Sequence, residues 1–429
     1  MKIQPQHTIC IQGGHVFDPS ENLDAIMDVY IENDCIVALG KAPEGFKAEE
    51  TINAKGKMIF PGFIDTNAFL SEPGFTQKGT IYSETQAAAQ SGITTLCCTP
   101  NSKPVLDSSA QVTLVQDKAK QAGFCKVLPI GALTAGLNGE QLSNMHGLKE
   151  AGCIALSNQE TPFKDGHVIK QCYHYAAGFG ITVMATPLDP ALAQDGCMHE
   201  SATSTQLGFA GIGESAETTA LAQHLILAEE TGVKLHISRV SSQRALDMIN
   251  AAKRNGLNVT ADVALGNLIF NAEDCAGYNS LMHVTPVYRS KQDQAALING
   301  VNKGELSICS NHLPQDIASK MAPFAASEKG ISVLDSFSSV IFSLVKNKQL
   351  TLEAAIASIS SLPAKQLNIA AGVIKVEAAA DLCIVDLDAS ITHTESNMVS
   401  GGKNNPWLDQ PLSGKVTHTI NNGHIVYQS

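Results

Sequence analysis

The sequence predicts a TIM-type (β/α)8 barrel joined to a small β-sandwich domain that is built from both chain termini. Through the middle of the chain, short apolar and β-branched runs alternate with helix-like stretches. Eight such units over roughly 250 residues match the size and order of a (β/α)8 barrel. At 429 residues, the chain leaves room for this barrel and one smaller domain.

Each predicted barrel strand is a short apolar run with β-branched residues, as is typical of buried parallel strands. In chain order the eight runs are KMIFPGFID (57–65), GITTLCCTPN (92–101), CKVLPIGAL (125–133), GCIALSN (152–158), GITVMATP (180–187), VKLHISRVS (233–241), LNVTADVAL (257–265) and LSICSNH (306–312). The adjacent Cys97 and Cys98 lie within the second run, which favours a buried strand over a disulfide or a metal clip.

Four helices between these strands are predicted most clearly. Their apolar residues recur at helical spacing, and a glycine typically follows the last turn, as in a helix C-cap. They are YSETQAAAQS (82–91), DGHVIKQCYHYAAGFG (165–180), SAETTALAQHLILAEETG (215–232) and SSQRALDMINAAKRNG (241–256).

The two ends of the chain have a different pattern. Residues 1–58 and 380–429 contain short alternating segments joined by turns, without helices between them. We therefore predict that 1–58 and 380–429 pair into one small β-sandwich domain at the base of a barrel domain of residues 59–379.

Composition excludes several function classes. The formal net charge is −12, and no run of Lys or Arg forms a basic stripe, so nucleic acid and anionic membranes are poor partners. The N-terminal residues turn polar and glycine-rich before any apolar stretch suited to a signal peptide or a membrane span, which predicts a cytoplasmic protein.

The eleven cysteines include no C-x-x-C pair, which indicates reduced, buried thiols. A homodimer is expected, because two-fold assemblies are the commonest.

Six segments, in order along the chain, carry a resemblance to a known family. They are PGFIDTNAFLSEPG, TTLCCTPNSKPV, HISRVSS, VTPVYRS, CSNHLPQ and the closing ADLCIVDLD with NNGHIVY. Together they resemble type I dihydroorotases of the amidohydrolase superfamily, over nearly the whole chain. The resemblance implies a barrel of the metal-dependent hydrolase kind.

In that family the first barrel strand ends D-x-H-x-H-x-R-x-P-G. The two histidines bind zinc, and the arginine holds the substrate carboxylate. Here the corresponding residues are Asn67, Phe69 and Ser71, so both zinc ligands and the arginine are missing.

The resemblance also places the other site positions. The bridging carboxylate expected after strand four falls at Asn158, or at Gln159 if the alignment slips by one, and the histidine after strand five falls at Thr186. The histidine of strand six falls at Arg239, and the aspartate of strand eight, both metal ligand and base, falls at Asn311. The remaining matched site positions are Asn101, a retained substrate contact, Thr285 in place of an asparagine, His312, and Gln315 in place of a substrate-binding histidine.

These replacements predict a protein without zinc, because amide and hydroxyl groups are poor zinc donors and phenylalanine offers none. A permanent cation at Arg239 opposes a dication, and no matching carboxylate is visible in the sequence near it. The offset between His236 and Arg239 predicts that their side chains face opposite sides of a strand. Asn311 cannot accept a proton as a base.

The polar residues that remain are interpreted as structural. His312 is a single histidine at a strand end, Asp65 and Asp262 are predicted to be hydrogen-bonded strand-end aspartates, and Asp189 and Asn101 are predicted to be loop or pocket hydrogen-bonders.

Three hypotheses follow. The favoured one is a catalytically inactive dihydroorotase homologue, without a cofactor, that acts through its surface as a structural or regulatory subunit in pyrimidine biosynthesis. The resemblance supplies aspartate carbamoyltransferase as the suspected partner. The alternatives are an active cyclic-amide hydrolase, either with an unusual zinc site or with a metal-free site at Asp65, Asp189, Asp262 and His312, and a sensor that binds a small molecule without turnover.

Overall fold

The computed structural model describes residues 7–429, and two large sheets dominate it. In chain order the strands are β1 (Thr8–Asp18), β2 (Leu23–Glu32), β3 (Cys35–Leu39), β4 (Glu50–Asn53), β5 (Met58–Pro61), β6 (Phe63–Ala68), β7 (Ile93–Cys98), β8 (Lys126–Ala132), β9 (Ala155–Ser157), β10 (Thr182–Ala185), β11 (Met198–His199), β12 (Gly211–Ile212), β13 (Leu235–Ile237), β14 (Val259–Ala264), β15 (Ser307–Cys309), β16 (Leu382–Thr392), β17 (Pro411–Asn421) and β18 (His424–Gln428).

Helices follow the strands of the central region and cover them. In chain order they are α1 (Ile81–Gln90), α2 (Ser109–Ala122), α3 (Met145–Glu150), α4 (Gly166–Phe179), α5 (Pro190–Ala193), α6 (Ala202–Leu207), α7 (Glu214–Thr231), α8 (Gln243–Arg254), α9 (Leu265–Ile269), α10 (Lys291–Asn302), α11 (Ile317–Met321), α12 (Phe337–Lys346), α13 (Leu352–Ser358) and α14 (Ser361–Leu367). No helix within residues 7–429 combines the length and the apolar character needed to cross a bilayer.

The barrel consists of eight parallel strands in sequential order, β6, β7, β8, β9, β10, β13, β14 and β15. A parallel bridge between Ala68 and His312 joins the first strand end to the last, and the Phe69 amide donates to the His312 carbonyl over 2.9 Å. All eight predicted strands are therefore present, and the predicted (β/α)8 barrel is confirmed. The strand ends converge on one mouth, where residues distant in sequence meet.

The four clearly predicted helices are confirmed as α1, α4, α7 and α8. Gly180 and Gly232 cap α4 and α7 with φ of 66° and 69°, the left-handed conformation that favours glycine at a helix end. None of the eleven cysteines forms a disulfide, and all except Cys35 are buried, as predicted.

The terminal strands form one sheet in the order β18, β17, β16, β5, β1, β2, β3, with β4 paired to β1. Bulges interrupt β1 and β16, and bulges bend strands. Ile31 on β2 and Ile420 on β17, far apart in the strand order, share one buried cluster. The sheet therefore closes over its own core, as a sandwich does.

The first predicted barrel run divides between the two sheets. Met58–Pro61 pairs with β1 and β16 of the terminal sheet, whereas Phe63–Ala68 is the first barrel strand. Gly62 lies between them, and a Cβ there would come within 2.2 Å of the Thr94 hydroxyl. The chain thus passes from one sheet to the other at a residue without a side chain.

Aromatic packing and one ion pair join the two parts. Phe60 lies 6.2 Å from Phe63 and 5.8 Å from Phe342, measured between ring centroids. The Lys126 ammonium lies 2.5 Å from the Asp381 carboxylate. These contacts fix the terminal sheet against the barrel base.

Candidate functional site

The guanidinium of Arg239 lies at the centre of the barrel mouth. Nη1 donates to Asn311 Oδ1 over 3.0 Å, and Nη2 donates to Thr186 Oγ1 over 2.7 Å and to Gln159 Oε1 over 3.2 Å. Nη1 also lies 2.6 Å from Glu160 Oε1. The side chain is only 4% exposed. Residues that follow strands four, five, six and eight of the barrel thus converge on one cation.

The sequence-based prediction that no carboxylate offsets the charge of Arg239 is wrong, because Glu160 forms an ion pair with it. It lies on the loop after β9, and its side chain is 35% exposed at the rim of the site. The sequence did not reveal it because 79 residues separate the partners and only the loop's fold over the mouth brings them together.

The two candidates for the strand-four position now have distinct places. Asn158 accepts from the Thr134 hydroxyl over 2.7 Å and donates to the Thr161 carbonyl, so its amide is used within the loop. Gln159 is buried, with φ of 49°, and reaches the Arg239 guanidinium. Gln159, rather than Asn158, therefore faces the site.

Asn311 and Thr285 meet on the opposite side. The Asn311 amide accepts from Arg239 and donates to the Thr285 carbonyl over 2.9 Å. The contribution of Thr285 is therefore its backbone oxygen.

A second polar layer lies beneath the guanidinium, around the fully buried Asp262. Its carboxylate accepts from the Arg239 amide over 2.6 Å and from Thr66 Oγ1 over 2.9 Å, and it lies 3.0 Å from His236 Nε2. His236 Nδ1 lies 2.8 Å from the Thr260 hydroxyl. Asp262 is thus a hydrogen-bonded structural aspartate, as predicted.

The predicted opposite orientation of His236 and Arg239 is wrong. Strand alternation ends with β13 at Ile237, and Arg239 has a φ of 60°. Because the left-handed residue departs from the pleat, both side chains reach the barrel interior: the His236 imidazole contacts Asp262, and the Arg239 guanidinium contacts Gln159, Thr186 and Asn311. His236 was therefore missed as a partner of Asp262.

The two interior aspartates have opposite pKa shifts. Burial raises the pKa of Asp65, although Ser310 donates to it from both its hydroxyl and its amide. Burial alone would also raise the pKa of Asp262, but the His236 imidazole and the donated hydrogen bonds lower it below its ordinary value. Both carboxylates have partners that account for them structurally.

His312 is satisfied as predicted. Its Nε2 lies 2.8 Å from Glu84 Oε2, and its Nδ1 accepts from the Val333 amide over 3.0 Å. Both ring nitrogens are used, and the side chain is fully buried. His312 therefore holds α1 and the region after β15 together.

The strand-one side of the mouth contributes no ligand to this arrangement. Phe69 is buried and packs edge-on against Phe75 at 5.7 Å.

Four other matched positions each bury one side-chain atom that has no hydrogen-bond partner among the described residues: Asn67 Nδ2, Ser71 Oγ, Asn101 Oδ1 and Gln315 Oε1. Asp189, by contrast, caps α5 by accepting from Ala191 and Leu192.

The residues at the mouth do not fit the zinc ion that the resemblance implies. Zinc needs imidazole, thiolate or carboxylate donors, usually three from the protein. Within residues 7–429, no group of three or more His, Cys, Asp or Glu side chains is arranged to hold a metal ion. The positions matched to the family's metal ligands offer amides, a hydroxyl, a phenyl ring and a guanidinium instead.

A cavity of about 240 Å³ lies beside the site, between β9, β10, α4 and α7. Its wall includes Gln159, Glu160 and Thr186, and its deep end includes Tyr173 and His224. The Tyr173 hydroxyl lies 2.7 Å from His224 Nδ1, and burial lowers the pKa of His224 to about 4. The histidine is therefore neutral at physiological pH.

Comparisons with known proteins agree with this fold. A family model described as dihydro-orotase-like matches residues 56–245. A dihydroorotase-like protein of Pseudomonas aeruginosa is 42% identical over 422 residues, which cover 98% of this chain and 100% of that protein. A dihydroorotase of Trichlorobacter lovleyi is 36% identical and covers 98% of this chain and 99% of its own length.

Solved structures extend the likeness in fold. An L-hydantoinase (dihydropyrimidinase) from Arthrobacter aurescens superposes with a TM-score of 0.88 at 20% identity, covering 98% of this chain and 96% of its own. A dihydropyrimidinase from Brevibacillus agri gives 0.83 at 20% identity, with coverage of 98% and 95%. At such identities the likeness concerns the fold alone.

Proposed function

The chain belongs to the dihydroorotase-like family. We propose that it is a non-catalytic member of that family and that it works through its surface. In this proposal it is a structural or regulatory subunit in pyrimidine biosynthesis, and its partner is aspartate carbamoyltransferase. The partner comes from the family resemblance, and the loss of the metal-site residues supports the absence of catalysis.

The observation that carries the proposal is the position of the Arg239 guanidinium. It follows strand six and is held by residues of three other barrel strand ends, among the positions where the family would place metal ligands. At ~4 Å and an effective dielectric near 20, two unit charges interact by about 4 kcal/mol, so a dication there is repelled by roughly twice that. Glu160 offsets part of this repulsion but is itself committed to Arg239.

The loss of the base supports the same proposal independently. Asn311 stands where the family has its catalytic aspartate, and an amide cannot take up a proton. Asp262 and His236 form a titratable pair beneath the guanidinium, yet both are fully buried and engaged with each other. Neither side chain is available to water or to a substrate at the mouth.

We expect less than about a tenth of a zinc ion per chain after purification in zinc-containing buffer, since three suitable donors do not converge. The same sample should neither hydrolyse dihydroorotate nor cyclise carbamoyl aspartate. Mass spectrometry for the metal and an absorbance assay in both directions measure this. The Trichlorobacter lovleyi dihydroorotase, assayed in parallel, is the positive control. One or two zinc ions per chain, or turnover above the buffer rate, would refute the proposal and favour the active-hydrolase alternative.

For the partner, we expect this chain and aspartate carbamoyltransferase from the same source to elute together in size-exclusion chromatography with a defined mass ratio. Carbamoyltransferase activity and thermal stability should rise when the chain is added. The Trichlorobacter lovleyi dihydroorotase serves as the matched barrel control. Separate elution at micromolar concentrations, with unchanged carbamoyltransferase activity, would reject this partner while leaving the non-catalytic assignment intact.

The ligand-sensor alternative has weaker support. The cavity beside Arg239 is lined by the carboxylates of Glu160, Asp165 and Asp189, and no Lys or Arg is among its described lining residues. A negatively charged wall disfavours an anion such as dihydroorotate. Positive charge at the barrel mouth lines a second, much smaller cavity of about 30 Å³, at Arg239, Arg289 and Lys329. The sensor hypothesis therefore lacks a cavity at the mouth that combines room for its suggested ligand with the charge that this ligand requires.

A further inference from the structure

We propose that Arg239 is a built-in structural cation: its guanidinium joins the barrel strand ends, a task that a bound metal ion performs in a metal-dependent barrel. This inference goes beyond the proposed function, because the mouth needs such a tie whatever partner the surface binds. The family resemblance implies a metal ion at the barrel mouth, whereas the guanidinium of Arg239 lies there in this chain.

The first support is the number and origin of the contacts. The guanidinium has five N–H donors in a rigid plane, and three of them donate hydrogen bonds, to Gln159, Thr186 and Asn311. The Glu160 carboxylate adds an ion pair with Nη1, so the partners come from the strand-four loop, the end of strand five and the end of strand eight. The arginine itself follows strand six. One planar group therefore links four of the eight strand ends.

The second support is the backbone at the tied positions. Gln159, Arg239 and Asn311 have φ of 49°, 60° and 50°, a left-handed conformation that is unfavourable for residues other than glycine. Such conformations persist where the surrounding structure holds them. Here each of the three residues directs its side chain into the same hydrogen-bonded cluster, so the cluster accounts for the retained conformation.

The third support is charge and burial. The Arg239 side chain is 4% exposed, and a cation so buried requires a matching carboxylate and additional hydrogen bonds. Glu160 supplies the charge, and the Arg239 amide is fixed by Asp262 over 2.6 Å. The fifth donor, Nε, has no hydrogen-bond partner among the described residues. Lysine is a poor replacement, since it cannot reproduce a plane with three directed hydrogen bonds.

The test is chemical rescue by the guanidinium ion alone. We expect Arg239→Ala to lower the melting temperature by on the order of 5 °C, because it leaves Glu160 and three polar groups without their cation. Millimolar guanidinium chloride should restore most of this loss in a saturable manner. Tetramethylammonium chloride at the same ionic strength should not. The wild-type protein, and the surface variant Arg254→Ala, should not respond to either salt.

Several outcomes would overturn the proposal. An Arg239→Ala protein as stable as wild type, or a destabilised one that guanidinium does not restore, would show that no discrete cation site exists. If Arg239→Ala does not fold, Arg239→Lys decides: a lowered melting temperature supports the planar tie, and a wild-type value overturns it. Zinc binding to the wild-type protein is a separate measurement, so failure of this inference and failure of the proposed function are distinguishable.

Discussion

Replacing Asp262 with alanine is expected to destabilise the protein by about 3–5 kcal/mol, because it removes one partner of a buried charged cluster. The carboxylate is fully buried and engages the Arg239 amide, the Thr66 hydroxyl and the His236 imidazole at 2.6–3.0 Å. Alanine leaves all three donors without an acceptor. Urea unfolding, followed by circular dichroism, measures the change in the free energy of unfolding.

The exposed Asp117 on α2 offers a matched control, and Asp117→Ala should change this free energy by less than about 0.5 kcal/mol. Equal stabilities of the Asp262→Ala and Asp117→Ala variants would contradict the interior cluster. The sign of the pH dependence follows from the lowered pKa of Asp262. The unfolded state binds the proton more readily, so the contribution is present above the unfolded pKa and is lost as pH falls through the folded pKa. Burial raises the pKa of Asp65, so here the folded state binds the proton more readily. This carboxyl therefore lowers the free energy of unfolding as pH rises from its unfolded pKa through its folded pKa.

Replacing Glu84 with alanine is expected to have an effect of similar size, about 3–5 kcal/mol, since Glu84 joins three distant segments. Its carboxylate on α1 lies 2.8 Å from His312 Nε2 and accepts from the Ser400 hydroxyl over 2.7 Å and from the Gly401 amide over 2.9 Å. The variant therefore leaves a buried imidazole and two further donors unsatisfied. The same urea experiment measures it, and hydrogen exchange should show faster opening around residues 399–401.

Glu150 at the exposed end of α3 provides the control, because Glu150→Ala removes the same side chain where nothing is buried against it. Unchanged stability and exchange in Glu84→Ala would mean that this network does not hold the C-terminal segment to the barrel. Burial alone would raise the pKa of Glu84, but the His312 imidazole and the donated hydrogen bonds lower it. Its stabilising contribution should therefore also be lost as pH falls through the lowered folded pKa.

The sequence alone was sufficient for the barrel, and its resemblance to dihydroorotases was sufficient to predict that the zinc ligands are missing. Strand and helix patterns depend on residues close together in the chain, such as the run 92–101 that contains β7 or the apolar spacing of α7. The absence of histidines at Asn67 and Phe69, and of the aspartate at Asn311, is likewise read directly from the chain. The structural interpretation of His312 also required only its isolation as a single potential ligand.

The contacts that the residues at these positions make were decided by the tertiary structure. The choice of Gln159 over Asn158, the ion pair between Arg239 and Glu160, and the inward position of His236 all involve left-handed residues or loops after the strand ends. Strand alternation stops at such residues, so spacing no longer predicts orientation. Their partners lie tens of residues away, and only closure of the barrel brings these side chains together.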